Sequence, residues 1–228
     1  MEDLYVQASR KAKRPEFPDG LTFAAKLFSY LLHPLFLPVL VTFMAVTALP
    51  EYFTAFKASS LRLPYDVLYF RVALNTLVFP MLVVLLCTAL GFVSSVHMAT
   101  QRDRIIPYVA TIIFYFWAFY TFLREGAAPG FFTSFFLGIF LTASICLVAN
   151  NFIKISMHTT GWGGVIGFFL VLMWGLGLNV SLPLGVILVF TGIAATSRLV
   201  LSAHTTWEVY IGLFTGILAQ LIAWWILG

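Results

Sequence analysis

Residues 131–149 read FFTSFFLGIFLTASICLVA, a run without a charged side chain. An α-helix needs about 20 apolar residues to cross the hydrocarbon core of a bilayer, and this run has that length. A transmembrane β-strand would be shorter and would alternate apolar with polar residues, which this run does not. Because backbone groups inside lipid must be satisfied internally, the run predicts a transmembrane helix.

The rest of the chain has the same apolar character. Its 228 residues are 61% hydrophobic and 10% charged, whereas a soluble domain carries about 25% charged residues. Other apolar runs cover 27–49, 67–93, 105–123 and 209–227, and the uncharged stretch between His158 and Arg198 is long enough for two spans divided by a turn at 179–183. We predict an all-α, polytopic bundle of six to seven spans, with a basic tail at 1–26 and one transmembrane domain at 27–228.

Local features refine this prediction. His33-Pro34 and Pro38 predict a kink in the first span, because proline interrupts the helical hydrogen bonds. The alternative for His33-Pro34 is that it lines the path by which a lipid enters, and we favour the simple kink. A set of small residues, Gly161, Gly163, Gly164 and Gly167, predicts close helix packing. The formal net charge of +4 is not gathered into a basic patch interleaved with exposed aromatics, so we expect no nucleic-acid partner.

Three polar stretches interrupt the apolar runs, at 94–104, 150–160 and 197–208. Two spans separate the first stretch from the second, and two more separate the second from the third. All three should therefore emerge on one face of the membrane. Charged groups at membrane depth are costly and are usually functional, so we expect the three stretches to converge on one site.

The third stretch is the most informative. Arg198 and His204 are six residues apart, which is about 240° around a continuous helix, so they face one pocket only if the helix ends between them, near Ser202. His204 and Glu208 are four residues apart and share a helix face. A carboxylate on one ring nitrogen fixes the tautomer and makes the other nitrogen a better nucleophile. The alternative is that this pair merely caps the start of the last helix.

The other two stretches carry further candidates. In the second, Ser156 is suited to bond phosphate oxygens beside Lys154, and His158 is suited to act as a general acid. In the first, Arg102 and Arg104 have the forked guanidinium that binds phosphate in bidentate fashion. The alternatives are that Lys154 and His158 anchor the chain at the interface and that the arginines only set the topology.

The spacing of these residues resembles the signature motifs of the type 2 phosphatidic acid phosphatase (PAP2) superfamily. Ser197-Arg198, five residues, His204, three residues, Glu208 matches the third motif except that Glu replaces Asp. The segment 155–158, ISMH, resembles the second motif, Pro-Ser-Gly-His, and keeps its Ser and His. His97, six residues, Arg104 has the spacing of the first motif, with His in place of Lys. The resemblance covers about 95–228 and leaves out the first two spans.

The resemblance implies a metal-independent phosphatase of lipid phosphates that needs no cofactor. By position, His204 would attack phosphorus, Glu208 would orient it and His158 would protonate the leaving alkoxide. The phosphate-binding residues would be Arg198, Ser156, Arg104, Arg102 and Lys154. Phosphatidate, phosphatidylglycerol phosphate, polyprenyl diphosphate and lipid A phosphates are all compatible substrates, and the expected location is the inner membrane of a bacterium.

Two other functions remain open from the sequence. One is a catalytically inactive relative that binds or transports a lipid phosphate. Transport would be favoured by polar groups at mid-bilayer and by an internal repeat, and the sequence has neither. The other is a transferase that passes the phosphohistidine's phosphoryl group to an acceptor other than water.

Overall fold

The computed structural model describes residues 17–58, 65–93 and 101–228. These parts of the chain form helices and no strands. Seven helical segments are long and apolar enough to cross a membrane: Asp19–Ala48, Asp66–Ala89, Arg102–Glu125, Gly130–Ala149, Met157–Gly175, Ser181–Val200 and Thr206–Leu227. The predicted all-α, multi-pass architecture is thus confirmed, with the upper of the two predicted span numbers.

The individual helices follow in chain order. The first span comprises α1 (Asp19–Leu31), a 3₁₀ turn (Pro34–Phe36) and α2 (Leu37–Ala48), and is followed by a 3₁₀ turn (Pro50–Phe53) and α3 (Thr54–Ala58). The second comprises α4 (Asp66–Ala73), a π-helical turn (Leu74–Val78) and α5 (Phe79–Ala89). A 3₁₀ turn (Arg102–Arg104) leads into α6 (Ile105–Glu125), and the remaining spans are α7 (Gly130–Ala149), α8 (Met157–Gly175), α9 (Ser181–Val200) and α10 (Thr206–Leu227).

The first span is broken where the sequence predicts a kink. Pro34 follows α1, and the His33 N–H bonds to the Tyr30 carbonyl at 3.3 Å. Two backbone carbonyls at the break accept hydrogen bonds from side chains of α8 rather than from the helix backbone. His158 Nε2 lies 2.9 Å from Ser29 O, and Trp162 Nε1 donates to Leu32 O at 3.1 Å. The break is therefore stabilised by α8, since buried carbonyls need donors.

The first helix also begins earlier than predicted. It starts at Asp19, inside the segment assigned to a basic tail, and before the apolar run that begins at residue 27. Polar residues such as Lys26 and Ser29 lower the hydropathy of this segment without interrupting its helix. Asp19 in the first turn also interacts favourably with the helix dipole.

Helices α8 and α10 form the most extensive contact among the described helices, and α10 also packs along α7. A Cβ atom on Gly163 would overlap the Leu213 carbonyl oxygen, and one on Gly216 would overlap the Thr160 carbonyl oxygen. Only glycine permits this approach of two helix backbones. The prediction of close packing is confirmed for Gly163, for Gly167, where a Cβ would overlap Ile217 and Gln220 of α10, and for Gly161, where a Cβ would overlap Pro34 of the first span. It is wrong for Gly164, where a Cβ would have only Gln220 Nε2 within 4 Å.

A buried aromatic cluster fills the half of the bundle around the α6–α7 turn. Phe122 contacts Phe136 and Phe132 with ring centroids 4.8 Å and 5.4 Å apart, and Phe53 contacts Phe132 at 5.1 Å. The opposite half, where α6 and α8 begin and α9 ends, contains polar side chains around a cavity. The aromatic half therefore provides a packed base for the site.

Candidate functional site

A cavity of about 480 Å³ lies between the helices in the polar half of the bundle. One part is lined by Arg104, His158, Arg198 and His204, which come from all three described polar stretches. The other part is lined by apolar side chains such as Val84, Phe135, Ile139, Ala143 and Val165. The predicted convergence of the three stretches is confirmed for these four residues, and the first-motif His97 lies outside the described residues.

The turn between α9 and α10 brings Arg198 and His204 to the same cavity. The Ala203 N–H bonds to the Arg198 carbonyl at 3.1 Å and the Ser202 N–H to the Leu199 carbonyl at 2.9 Å, which is the Schellman pattern of helix termination. Ser202 has a φ of 49°, the left-handed conformation that this motif requires. The helix thus ends between the two residues, as their spacing predicts.

The carboxylate of Glu208 makes two bonds at the start of α10. Its Oε2 accepts from the Thr205 backbone N–H at 3.0 Å, while Thr205 Oγ1 accepts from the Glu208 N–H at 3.3 Å, which completes a capping box. The same Oε2 lies 3.2 Å from His204 Nδ1. The capping interpretation of Glu208 is therefore confirmed, and its contact with the His204 ring is the geometry that the orienting role requires.

His204 is held with one ring nitrogen occupied and the other available. Nδ1 lies 3.0 Å from the Lys154 carbonyl and 3.2 Å from Glu208 Oε2. Both partners are acceptors, so Nδ1 carries the proton and Nε2 keeps its lone pair. The side chain is 3% exposed, and burial, reinforced by Arg198 and Arg104, lowers the pKa of His204 to about 3. The ring is therefore neutral at physiological pH, as a nucleophile must be.

Two arginines approach the cavity from different helices. Arg104, 6% exposed, donates from Nη1 to the Ile155 carbonyl at 3.3 Å. Arg198 donates from Nη1 to Ser29 Oγ at 2.7 Å and forms no ion pair with any described residue. Because Arg198 is half-buried without an anionic partner among the described residues, and because guanidinium groups bind anions strongly, this end of the cavity is suited to bind a negatively charged group.

His158 contacts the first span rather than His204. Its ring packs edge-on against His33 with centroids 5.1 Å apart, and its Nε2 lies 2.9 Å from the Ser29 carbonyl. Since a carbonyl only accepts, Nε2 carries the proton of this histidine. His158 therefore lines the predicted site, but its Nε2–H donates a hydrogen bond to the backbone of α1.

The first span contributes residues that the sequence analysis placed outside the site. Lys26, Ser29, Tyr30 and His33 all line the cavity. They follow the spacing i, i+3, i+4 and i+7, which places them on one helix face. The interpretation of His33-Pro34 as a simple kink was therefore incomplete, and this polar stripe in an apolar helix was the signal that could have identified the face.

Three of the predicted phosphate-binding side chains do not line the cavity. Arg102 is exposed, because in a 3₁₀ turn it points away from the buried Arg104 two residues later. Ser156 is 0% exposed and its Oγ has no hydrogen-bond partner in the described part of the chain, while Lys154 contributes its backbone carbonyl to His204. Glu208 also lies outside the cavity lining, behind His204, where the orienting role would place it.

Comparison with protein-family models, with curated proteins and with solved structures found no match to this chain. The resemblance to the PAP2 motifs therefore stays a prediction, and the function has to be argued from the geometry of the cavity.

Proposed function

We propose that the chain is an integral-membrane phosphatase that hydrolyses a phosphomonoester or diphosphate on a lipid through a phosphohistidine on His204. The observation that carries this proposal is the environment of His204. Its Nδ1 is held by two acceptors, so the Nε2 lone pair is left for a cavity whose same end contains Arg104 and Arg198. A fixed nucleophile beside fixed cations is the arrangement that phosphoryl transfer requires.

The shape of the cavity favours an amphiphilic substrate. Its cationic end suits a phosphate group, and its apolar part, between α5, α7 and α8, suits a hydrocarbon chain. A soluble phosphate ester would leave this apolar part unfilled, whereas a lipid would gain free energy by burying its chain there. The substrate class is accordingly a lipid phosphate.

The reaction would proceed in two steps. First, His204 Nε2 attacks phosphorus, the bond between phosphorus and the lipid oxygen breaks, and the leaving oxygen takes a proton from the imidazolium form of His158, which becomes the neutral ring. For this, the His158 Nε2–H has to leave the Ser29 carbonyl, 2.9 Å away. Second, water attacks the phosphohistidine, inorganic phosphate leaves and the proton from water returns to His158. The two arginines neutralise the charge on the phosphoryl oxygens in both steps.

The test is phosphate release by purified protein in detergent with EDTA present, from phosphatidate, phosphatidylglycerol phosphate, polyprenyl diphosphate and lipid A phosphates. We expect release from at least one of these lipids and a loss of about a thousandfold or more in His204→Ala. Thr206→Ala changes an exposed residue of the same segment and should retain the activity. An alkaline quench should trap a phosphoryl group on the peptide that contains His204.

Absence of release from every lipid, with protein that elutes as a folded species, would rule out hydrolysis of these substrates. The second candidate is then a protein that binds or transports a lipid phosphate without hydrolysing it. The observation that favours this candidate is the hydrogen bond from His158 Nε2 to the Ser29 carbonyl. This bond engages the N–H that would have to protonate the leaving group. Binding of a lipid phosphate without turnover would support it.

A further inference from the structure

The break in the first span places His33 at the wall of the cavity. Non-helical backbone at membrane depth is tolerated where it lines a cavity or is buried in protein. His33 precedes the 3₁₀ turn Pro34–Phe36, and the Leu35 N–H donates to its Nδ1 at 3.3 Å. The side chain is thus held by the turn that it caps, and it lines the same cavity as His204.

The bond from Leu35 determines the protonation of the His33 ring. Nδ1 accepts a hydrogen bond, so it carries no proton, and the proton of the neutral ring lies on Nε2. No described residue accepts a hydrogen bond from this Nε2. The edge-on contact with His158, at 5.1 Å and 84°, limits rotation of the ring. The result is an oriented donor, without a protein acceptor among the described residues, at the cationic end of the cavity.

We propose that the Nε2–H of His33 donates a hydrogen bond to a phosphoryl oxygen of the bound lipid phosphate, which makes His33 a substrate-contacting residue. The nature of the ligand rests on the proposed function, whereas the donor and its orientation do not. His33 is half-buried at the cavity wall and its Nε2–H has no acceptor among the described residues, and an anionic oxygen is the strongest acceptor that a ligand could offer it. Arg104 and Arg198 approach the phosphate from α6 and α9, and His33 approaches it from the first span.

Two substitutions distinguish the roles of the two ring nitrogens of His33, the acceptor Nδ1 and the donor Nε2. Asparagine places an acceptor oxygen near the position of Nδ1, so His33→Asn keeps the cap on Leu35 and loses the donor. Glutamine places an amide nitrogen near the position of Nε2, so His33→Gln keeps the donor. The probe is decylphosphonate, an amphiphile whose carbon–phosphorus bond is not hydrolysed, and the measurement is its Kd for the full-length protein in detergent.

We expect His33→Asn to bind decylphosphonate about tenfold to a hundredfold more weakly than wild type, and His33→Gln to bind more tightly than His33→Asn. The thermal midpoint of His33→Asn should stay close to that of wild type, because the turn keeps its cap. Equal affinity in wild type and His33→Asn would overturn the inference, and so would an equal loss in both variants. Wild-type protein that does not bind the probe at all would overturn it as well.

Phosphate release measured on the same proteins distinguishes this inference from the proposed function. If wild type binds the probe through His33 but hydrolyses no lipid phosphate, the binding role stands and the phosphatase proposal fails. If wild type hydrolyses a lipid phosphate and His33→Asn does so with unchanged KM and kcat, the phosphatase proposal stands and the role of His33 is wrong.

Discussion

Glu208 shows how a single side chain serves both the helix and the site. Its Oε2 accepts from the Thr205 backbone N–H and from the His204 ring. In a capping box the third helical residue has to reach back to the N-cap, which a glutamate does with its additional methylene. The Glu in place of the Asp of the PAP2 motif is therefore compatible with an oriented His204. The start of α10 and the tautomer of His204 depend on the same carboxylate.

The protonation state of His204 gives a prediction that concerns a single residue. Its pKa is lowered to about 3, first by burial and then by Arg198 and Arg104. A lowered pKa means that the neutral ring persists as the pH falls, until about pH 3. Diethyl pyrocarbonate acylates only unprotonated imidazole. Between about pH 7 and pH 5 an ordinary histidine loses about 25-fold in its neutral fraction, whereas we expect His204 to react at nearly constant rate.

The measurement is the rate of acylation of the His204 peptide by mass spectrometry, with N-acetylhistidine as the reference. Arg198→Gln removes a cation that opposes protonation, so acylation of His204 in this variant should slow more strongly toward pH 5 than in wild type. A rate for wild-type His204 that falls in parallel with the reference would show that its pKa is not lowered.

At the scale of elements, the contact between α8 and α10 depends on where glycine lies. A Cβ on Gly163 would overlap the Leu213 carbonyl oxygen, whereas the nearest atom to a Cβ on Gly164 is Gln220 Nε2 at 3.8 Å. We therefore expect Gly163→Ala to destabilise the protein by about 1–3 kcal/mol, because two backbones must separate. Gly164→Ala, the matched control, should change the thermal midpoint in detergent much less. Equal midpoints for the two variants would contradict the close packing.

The elements were also the part of the structure that the sequence predicted best. Hydropathy is a local property, so runs such as 105–123 and 131–149 gave spans whose ends match the structure to within a few residues. The break at Pro34 and the helix end near Ser202 followed from proline chemistry and from helical periodicity. The start of α1 was missed because its polar residues, which face the cavity, lower the hydropathy that was used to find spans.

The side chains of the site were predicted less completely, for a physical reason. Spacing along the chain identified the segments that meet, but not which way each side chain points. Ser156 was predicted from the motif and is fully buried, whereas Arg102 was predicted from its guanidinium and is exposed. Ser29 was missed, and His33-Pro34 was interpreted mainly as a kink, because their role comes from packing of the first span against α8 and α9. The polar stripe marks a face of that span but does not say which helices pack against it.

The whole molecule combines an odd number of spans with a site on one face. The polar ends of α6, α8, α9 and α10 meet at the cavity, while the α6–α7 turn lies beside the aromatic cluster in the other half. With seven spans among the described residues, the start of the first span and the end of the last lie on opposite faces of the membrane, and the cationic end of the cavity shares the face on which the first span starts. This arrangement places the cationic end of the cavity near the lipid headgroups and its apolar part among the hydrocarbon chains.

This topology can be tested by cysteine accessibility in a background in which Cys87 and Cys146 are replaced by alanine. Asn151→Cys and Thr206→Cys are exposed positions on the predicted site face, and Ala127→Cys is exposed in the α6–α7 turn. A membrane-impermeant maleimide applied to sealed vesicles of one orientation should label the first two positions together and Ala127→Cys only after permeabilisation, or the reverse. Labelling of Asn151→Cys and Thr206→Cys from opposite sides would mean that α8 and α10 do not begin on one face. In that case His158 and His204 would not share a cavity, and the convergent site would be wrong whatever lipid the protein binds.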